Sequence, residues 1–114
     1  RALGAIADLK QEFWREVKVP GRRDQVNQEL EKAVKVADFL ELAQLMCRDA
    51  LARKESCGAH FREESQTPEG EAKRIDTEYA HVAAWEYRGE GSEHVLHKEP
   101  LVFENVEIKE RSYK

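Results

Sequence analysis

The sequence is poor in the features that would make its role easy to read. It has only two cysteines in 114 residues, Cys47 and Cys57. A disulfide framework needs more and belongs to secreted chains, so reduced thiols in a cytosolic compartment are expected. No apolar run is long enough to cross a bilayer, and the first residues, RALGAIADLK, do not have the layout of a secretory signal. The formal net charge is −4, and Arg22, Arg23, Arg53, Arg62 and Arg88 are interleaved with acids, so nothing directs the chain to nucleic acid. The six glycines form neither a G-x-G-x-x-G pattern nor a P-loop, which excludes the usual phosphate and dinucleotide cradles. There is no internal repeat and no low-complexity tract. The opening residues also lack an initiator Met and an N-cap, so a helix cut out of a longer protein is expected.

What is present is a helical pattern. Hydrophobic residues make up 40% of the chain and charged residues 37%, too apolar for disorder but more charged than an average domain. The length suits one domain spanning 1–114, divided as helical bundle 1–57, motif exit and loop 58–76, and hairpin with tail 77–114. Leu3, Ile6, Ala7, Phe13, Trp14 and Val17 share one face of a first helix, with Lys10 in the gap, where its stem still covers apolar surface. Pro20 and Gly21 stop it. Asp24 is the expected N-cap of a second helix carrying Val26, Leu30, Ala33, Val34 and Ala37.

Asp38 followed by Glu41 has the spacing of a capping box and predicts the start of a third helix. There Phe39, Leu42, Ala43, Met46 and Ala50 occupy one face, and Leu40, Cys47 and Leu51 another. A helix apolar on most sides is buried on most sides, here by the C-terminal half or by another domain. Short loops predict an antiparallel up-down-up three-helix bundle, spectrin-repeat-like, ending near Arg53 to Ser56 with Gly58 as a left-handed C-cap. Beyond it, EESQTPEGEAKR reads as a surface loop. TEYAHVAAWEY alternates as a strand, with Tyr79, His81, Ala83, Trp85 and Tyr87 on one face. HVLHKEPLVF reads as a weaker partner strand interrupted by Pro100, and FENVEIKERSYK as an extended tail that needs a partner to be ordered. The expected fold is therefore mainly α, with a loop, a short β-hairpin and an extended tail after the helices.

Chemistry is concentrated in RKESCGAHFREE, Arg53 to Glu64. Cys57-x-x-His60 with His94-x-x-His97 supplies the residue types of a four-ligand zinc site, although single Cys–His pairs are weak signals. Cys57, His60 and Glu55 supply those of a nucleophile, base and acid, but a thiol near a helix C-terminus lacks the dipole that activates it. The third reading is a structural joint. Arg53 and Arg62 carry rigid forks suited to carboxylates, and Glu55, Glu63 and Glu64 lie close by.

RKESCGAHFREE resembles the R-x-E-S-R-G-A-H-x-R-x-D motif in the C-terminal domain of succinate dehydrogenase and fumarate reductase flavoprotein subunits, and of the related L-aspartate oxidases. Arg53, Glu55, Ser56, Gly58, Ala59, His60 and Arg62 match it position by position. Cys57 replaces an arginine, Glu64 an aspartate, and Ile75-Asp76 stands for an acidic pair. FWREVKVPG, NQELEKAVKVADFLELAQLMCRDAL and YAHVAAWEY extend the resemblance over nearly the whole chain, and HKEPLVFENVEIKERSYK favours the succinate dehydrogenase and fumarate reductase branch.

The resemblance implies a parent oxidoreductase that interconverts succinate and fumarate on covalent FAD and passes electrons to an iron–sulfur subunit. It implies a three-helix domain packed on the parent's own FAD-binding and capping domains, near that iron–sulfur subunit. The parent would be peripheral on the cytoplasmic face of the bacterial inner membrane, with no direct insertion by this domain. No catalytic, cofactor-binding or metal residue carries over, so no cofactor and no activity are expected of this chain alone. Arg53, Glu55, Ser56, Gly58, His60 and Arg62 carry over as a structural and interface cluster. Two alternatives stay open: a stand-alone helical adaptor and a small zinc-binding module.

Overall fold

A computed structural model describes residues 1–89 and 91–109. The expected tail beyond 109 lies outside the described residues. In chain order the elements are α1 (Ala2–Glu16), α2 (Gln28–Ala52), α3 (Asp76–Tyr79), β1 (His81–Glu86) and β2 (Val95–Pro100). The class is the expected one, helices first and then an antiparallel hairpin. The chain falls into two compact units, the first being Arg1–Arg53 and the second beginning at Lys54.

In the first unit α1 and α2 pack on each other as a helical hairpin. Leu3, Ile6, Ala7, Lys10 and Phe13 are half-buried along α1, and Ala33, Ala37, Leu40, Gln44 and Cys47 along one face of α2. Lys10 bridges the two helices. Its ammonium is paired with Glu41 and donates to Gln44 Oε1 at 3.2 Å, so the gap in the apolar stripe is filled by a charge-assisted contact. After α1, Val17 turns extended while its N–H still donates to Phe13.

The loop is closed by Asn27. Its Nδ2 donates to the Pro20 carbonyl at 2.9 Å, and its Oδ1 accepts from the N–H groups of Glu29 and Leu30 at 3.1 and 3.2 Å. Asn27, rather than the expected Asp24, is thus the N-cap of α2, while Asp24 pairs with Arg22 in the loop.

The break expected at Asp38 is absent, and the predicted second and third helices are one continuous helix of 25 residues. A capping box caps only where the chain upstream has left the helix. No Gly or Pro lies between Gln28 and Ala52, and an interior Asp costs only a fraction of a kcal/mol. Residues 1–57 therefore hold a two-helix hairpin rather than an up-down-up bundle. The third described helix is the single turn α3, which lies beyond the expected loop. The expected burial of the Phe39 region also differs. Phe39, Leu42 and Met46 are 63%, 52% and 64% exposed on the side of α2 away from its half-buried face. Among the described residues no apolar side chain is buried.

The second unit is centred on polar groups. Among the described residues, its buried side chains are Glu55, Ser56 and Ser65. β1 and β2 pair antiparallel, from His81 opposite Pro100 to Glu86 opposite Val95. Pro100 ends β2 instead of interrupting it, and the next N–H, of Leu101, extends the ladder to the Ala80 carbonyl. His81, Ala83 and Trp85 share the half-buried face of β1 as expected. Tyr79 does not, because residues 76–79 form α3, and Tyr87 is exposed beyond the strand. Residues 101–109 are exposed and form neither helix nor strand.

Candidate functional site

The motif begins at the last turn of α2. Arg53 is the C-cap, in extended conformation, and its N–H donates to the Asp49 carbonyl at 3.0 Å. The helix therefore ends before Gly58, which is not its C-cap. The positive φ expected of Gly58 is present, at +57°, but for a different reason. Cys57 and His60 exchange backbone hydrogen bonds of 2.9 and 3.0 Å across a two-residue turn, Gly58-Ala59. Gly58 takes the first central position at positive φ and Ala59 the second at negative φ, the pattern of a type II′ turn.

Ser56 is the hub of this turn. It is fully buried, and its Oγ accepts from the Arg62 N–H at 2.8 Å and donates to the Arg62 carbonyl at 3.2 Å. Its own N–H donates to the Lys73 carbonyl at 3.0 Å. A second serine repeats the device, with Ser65 Oγ donating to the Lys54 carbonyl at 2.8 Å and the Ser65 carbonyl accepting from Lys73. Buried serines suit this role because one small hydroxyl both donates and accepts, leaving few buried polar groups without a partner. Glu55, 2% exposed, accepts the Ile75 N–H on Oε2 at 2.7 Å. The segment between is folded, not loose. Gln66 bridges Ala72, Thr67 N–H donates to the Glu71 carbonyl, and Gly70 sits at φ +83°.

The charged groups lie further out. Arg62 Nε donates to Glu64 Oε1 at 2.7 Å, with Nη2 on the same oxygen. A hydrogen bond to the backbone of Glu64, and then the Arg62 guanidinium, hold the Glu64 carboxyl below its ordinary range. Arg74 donates to Asp76 through Nε at 2.9 Å and Nη2 at 2.6 Å, and this contact raises the guanidinium pKa.

Of the six singled-out residues, Glu55, Ser56, Gly58, His60 and Arg62 thus form one hydrogen-bonded turn cluster in the second unit, and Arg53 caps the first. Ser65, Lys73 and Arg74 belong to the cluster as well, and sequence reasoning missed them, while Ile75 was read only as half of the Ile75-Asp76 pair.

The printed bonds of the cluster run mostly between side chains and backbone. Cys57 and His60 meet through main-chain atoms. His97 contacts Glu86 Oε2 at 2.7 Å, and the His94 ring lies 5.4 Å from that of Tyr87. Among the described residues, no group of three or more His, Cys, Asp and Glu side chains is placed to hold a metal ion. No described helix is long and apolar enough to cross a membrane.

A helical hairpin, then a serine-centred turn motif and a two-stranded sheet, make an α-rich chain whose buried side chains, among the described residues, are polar. The family described as fumarate reductase flavoprotein C-term matches residues 1–113. The chain belongs to that family, the C-terminal domain of the flavoprotein oxidoreductase subunit of succinate dehydrogenase and fumarate reductase. Searches of the curated proteins and of the solved structures found no match.

Proposed function

We propose that this domain is a docking element of a succinate dehydrogenase or fumarate reductase flavoprotein subunit. It packs on the FAD-binding and capping parts of that subunit, close to the iron–sulfur subunit, and holds no flavin itself. The parent subunit carries covalent FAD, interconverts succinate and fumarate and hands electrons on. It lies on the cytoplasmic face of the inner membrane.

One observation carries this reading. A chain that is 40% hydrophobic buries no apolar side chain among its described residues, while Trp14, Phe39, Leu42, Met46 and Val102 are all more than half exposed. Removing apolar surface from water is worth about 25 cal/mol per Å². Exposed apolar surface on this scale marks an interface.

The test is reconstitution. The purified chain is expected to bind no FAD and to reduce no dye with succinate. Phe39→Ser is expected to lower the melting temperature of the complete flavoprotein subunit more than that of the chain alone. Stoichiometric FAD binding by the chain, or an equal effect of Phe39→Ser in both contexts, would overturn the proposal.

A further inference from the structure

The C-terminal arm, residues 101–109, is held at two points by the described hydrogen bonds. At its start the Leu101 N–H donates to the Ala80 carbonyl at 2.9 Å. At its end the Lys109 carbonyl accepts from Arg74 Nη1 at 3.2 Å, across 35 residues of sequence. Between the pins the arm carries Val102, Phe103, Val106 and Ile108, all exposed.

Arg74 is well placed to act as the second pin. Its backbone is fixed on both sides. Lys73 accepts from Ser56 N–H and donates to the Ser65 carbonyl, while the Ile75 N–H is held by buried Glu55. Its guanidinium is fixed too. Nε and Nη2 both lie on Asp76 Oδ1, which leaves Nη1 directed to Lys109. A planar fork already oriented by one acceptor loses little freedom on taking a second. A bond that closes a long loop must offset the loop's entropy, so an oriented donor matters most here.

We propose that Arg74 is a conformational latch. It couples the serine-centred turn cluster to the C-terminal arm, with Asp76 setting the fork. When the latch is closed, the arm is a loop pinned at both ends. When it is open, residues 102–109 are held only at Leu101. This device is local to the second unit and stands independently of the docking role proposed above.

The experiment uses the full chain. Backbone ¹⁵N heteronuclear NOEs and chymotryptic cleavage after Phe103 are compared for the native chain, Arg74→Ala, Asp76→Asn and the control Arg88→Ala. Arg74→Ala is expected to lower the NOEs of residues 102–108 and to speed cleavage about fivefold, the scale of one partly exposed polar contact. The NOEs of Ser56, Cys57 and His60 stay as they were. Asp76→Asn moves the arm in the same direction by less, and Arg88→Ala leaves it unchanged. Unchanged arm NOEs and cleavage in Arg74→Ala would overturn the latch. So would equal loosening of the turn cluster, which would make Arg74 a general fold contact.

Discussion

The N–H of Ile75 donates at 2.7 Å to the carboxylate of Glu55, twenty residues earlier in the chain and almost completely buried. Beside it, Ser56 N–H donates to the Lys73 carbonyl, so two short segments distant in sequence are tied by adjacent bonds. Glu55→Ala leaves the Ile75 donor facing a vacated site and is expected to destabilise the chain by about 2–3 kcal/mol, the scale of a charged buried hydrogen bond. Glu55→Gln keeps an acceptor oxygen and should recover part of that loss. Urea denaturation of the two variants checks the ordering, and equal midpoints would contradict it.

Two glycines have equally open surroundings and should respond to Ala with opposite signs. Neither Gly4 nor Gly58 has an atom within 4 Å of where a Cβ would stand. Gly4 is inside α1, so Gly4→Ala is expected to stabilise by about 0.5–1 kcal/mol through helix propensity and the unfolded-state entropy. Gly58 is at φ +57°, so Gly58→Ala should cost about 1–2 kcal/mol in backbone strain alone, and Gly58→Val more. Thermal melts of the three variants decide it.

Asn27 joins a loop to a helix. Asn27→Ala removes the cap of α2 and the bond to the Pro20 carbonyl together, for an expected loss of about 1–2 kcal/mol. Gly21→Ala should be harmful at the same place, because a Cβ there would stand 2.5 Å from Asn27 Nδ2, on a backbone at φ +117°. Helicity followed by circular dichroism through denaturation tests both. A Gly21→Ala chain as stable as the native one would refute the clash.

Glu64 makes a pH prediction. Its carboxyl titrates below the ordinary 4.5, first through its backbone hydrogen bond and then through Arg62. A carboxyl depressed in the folded state stabilises at pH above the unfolded value and loses that contribution as pH falls through the folded one. The native chain is therefore expected to weaken on acidification below 4.5, and Glu64→Gln to flatten that part of the profile. Glu64 is exposed, so the difference should be small and should shrink in high salt. Denaturation midpoints across the acid range, at two salt concentrations, measure it.

Much of this arrangement was legible from residue patterns. The three-four spacing of Leu3, Ile6, Ala7 and Phe13 marked the face of α1 that is half-buried, and Pro20-Gly21 marked its stop. Alternation marked His81, Ala83 and Trp85. The positive φ of Gly58 was expected from a helix C-cap and is present, but in the turn between Cys57 and His60. The misplaced features share a cause. Asp24, Asn27 and Asp38 are all competent N-caps, and which one caps depends on where the chain upstream stops being helical. Here the helix begins after Asn27, whose side chain also bonds the Pro20 carbonyl across the loop.

The sequence by itself determined the helical propensity of the first half, the strand alternation of the second, and membership of the family whose model matches residues 1–113. Tertiary structure alone decided which partners the motif residues take. Its polar residues look like chemistry when read along the chain. Folded, Ser56, Ser65 and Glu55 are used up in holding the backbone of Arg62, Lys54 and Ile75. Residue type fixes which hydrogen bonds a side chain is able to make. Only the approach of distant segments fixes which it does make, because a buried polar group takes whichever partner the fold brings within reach.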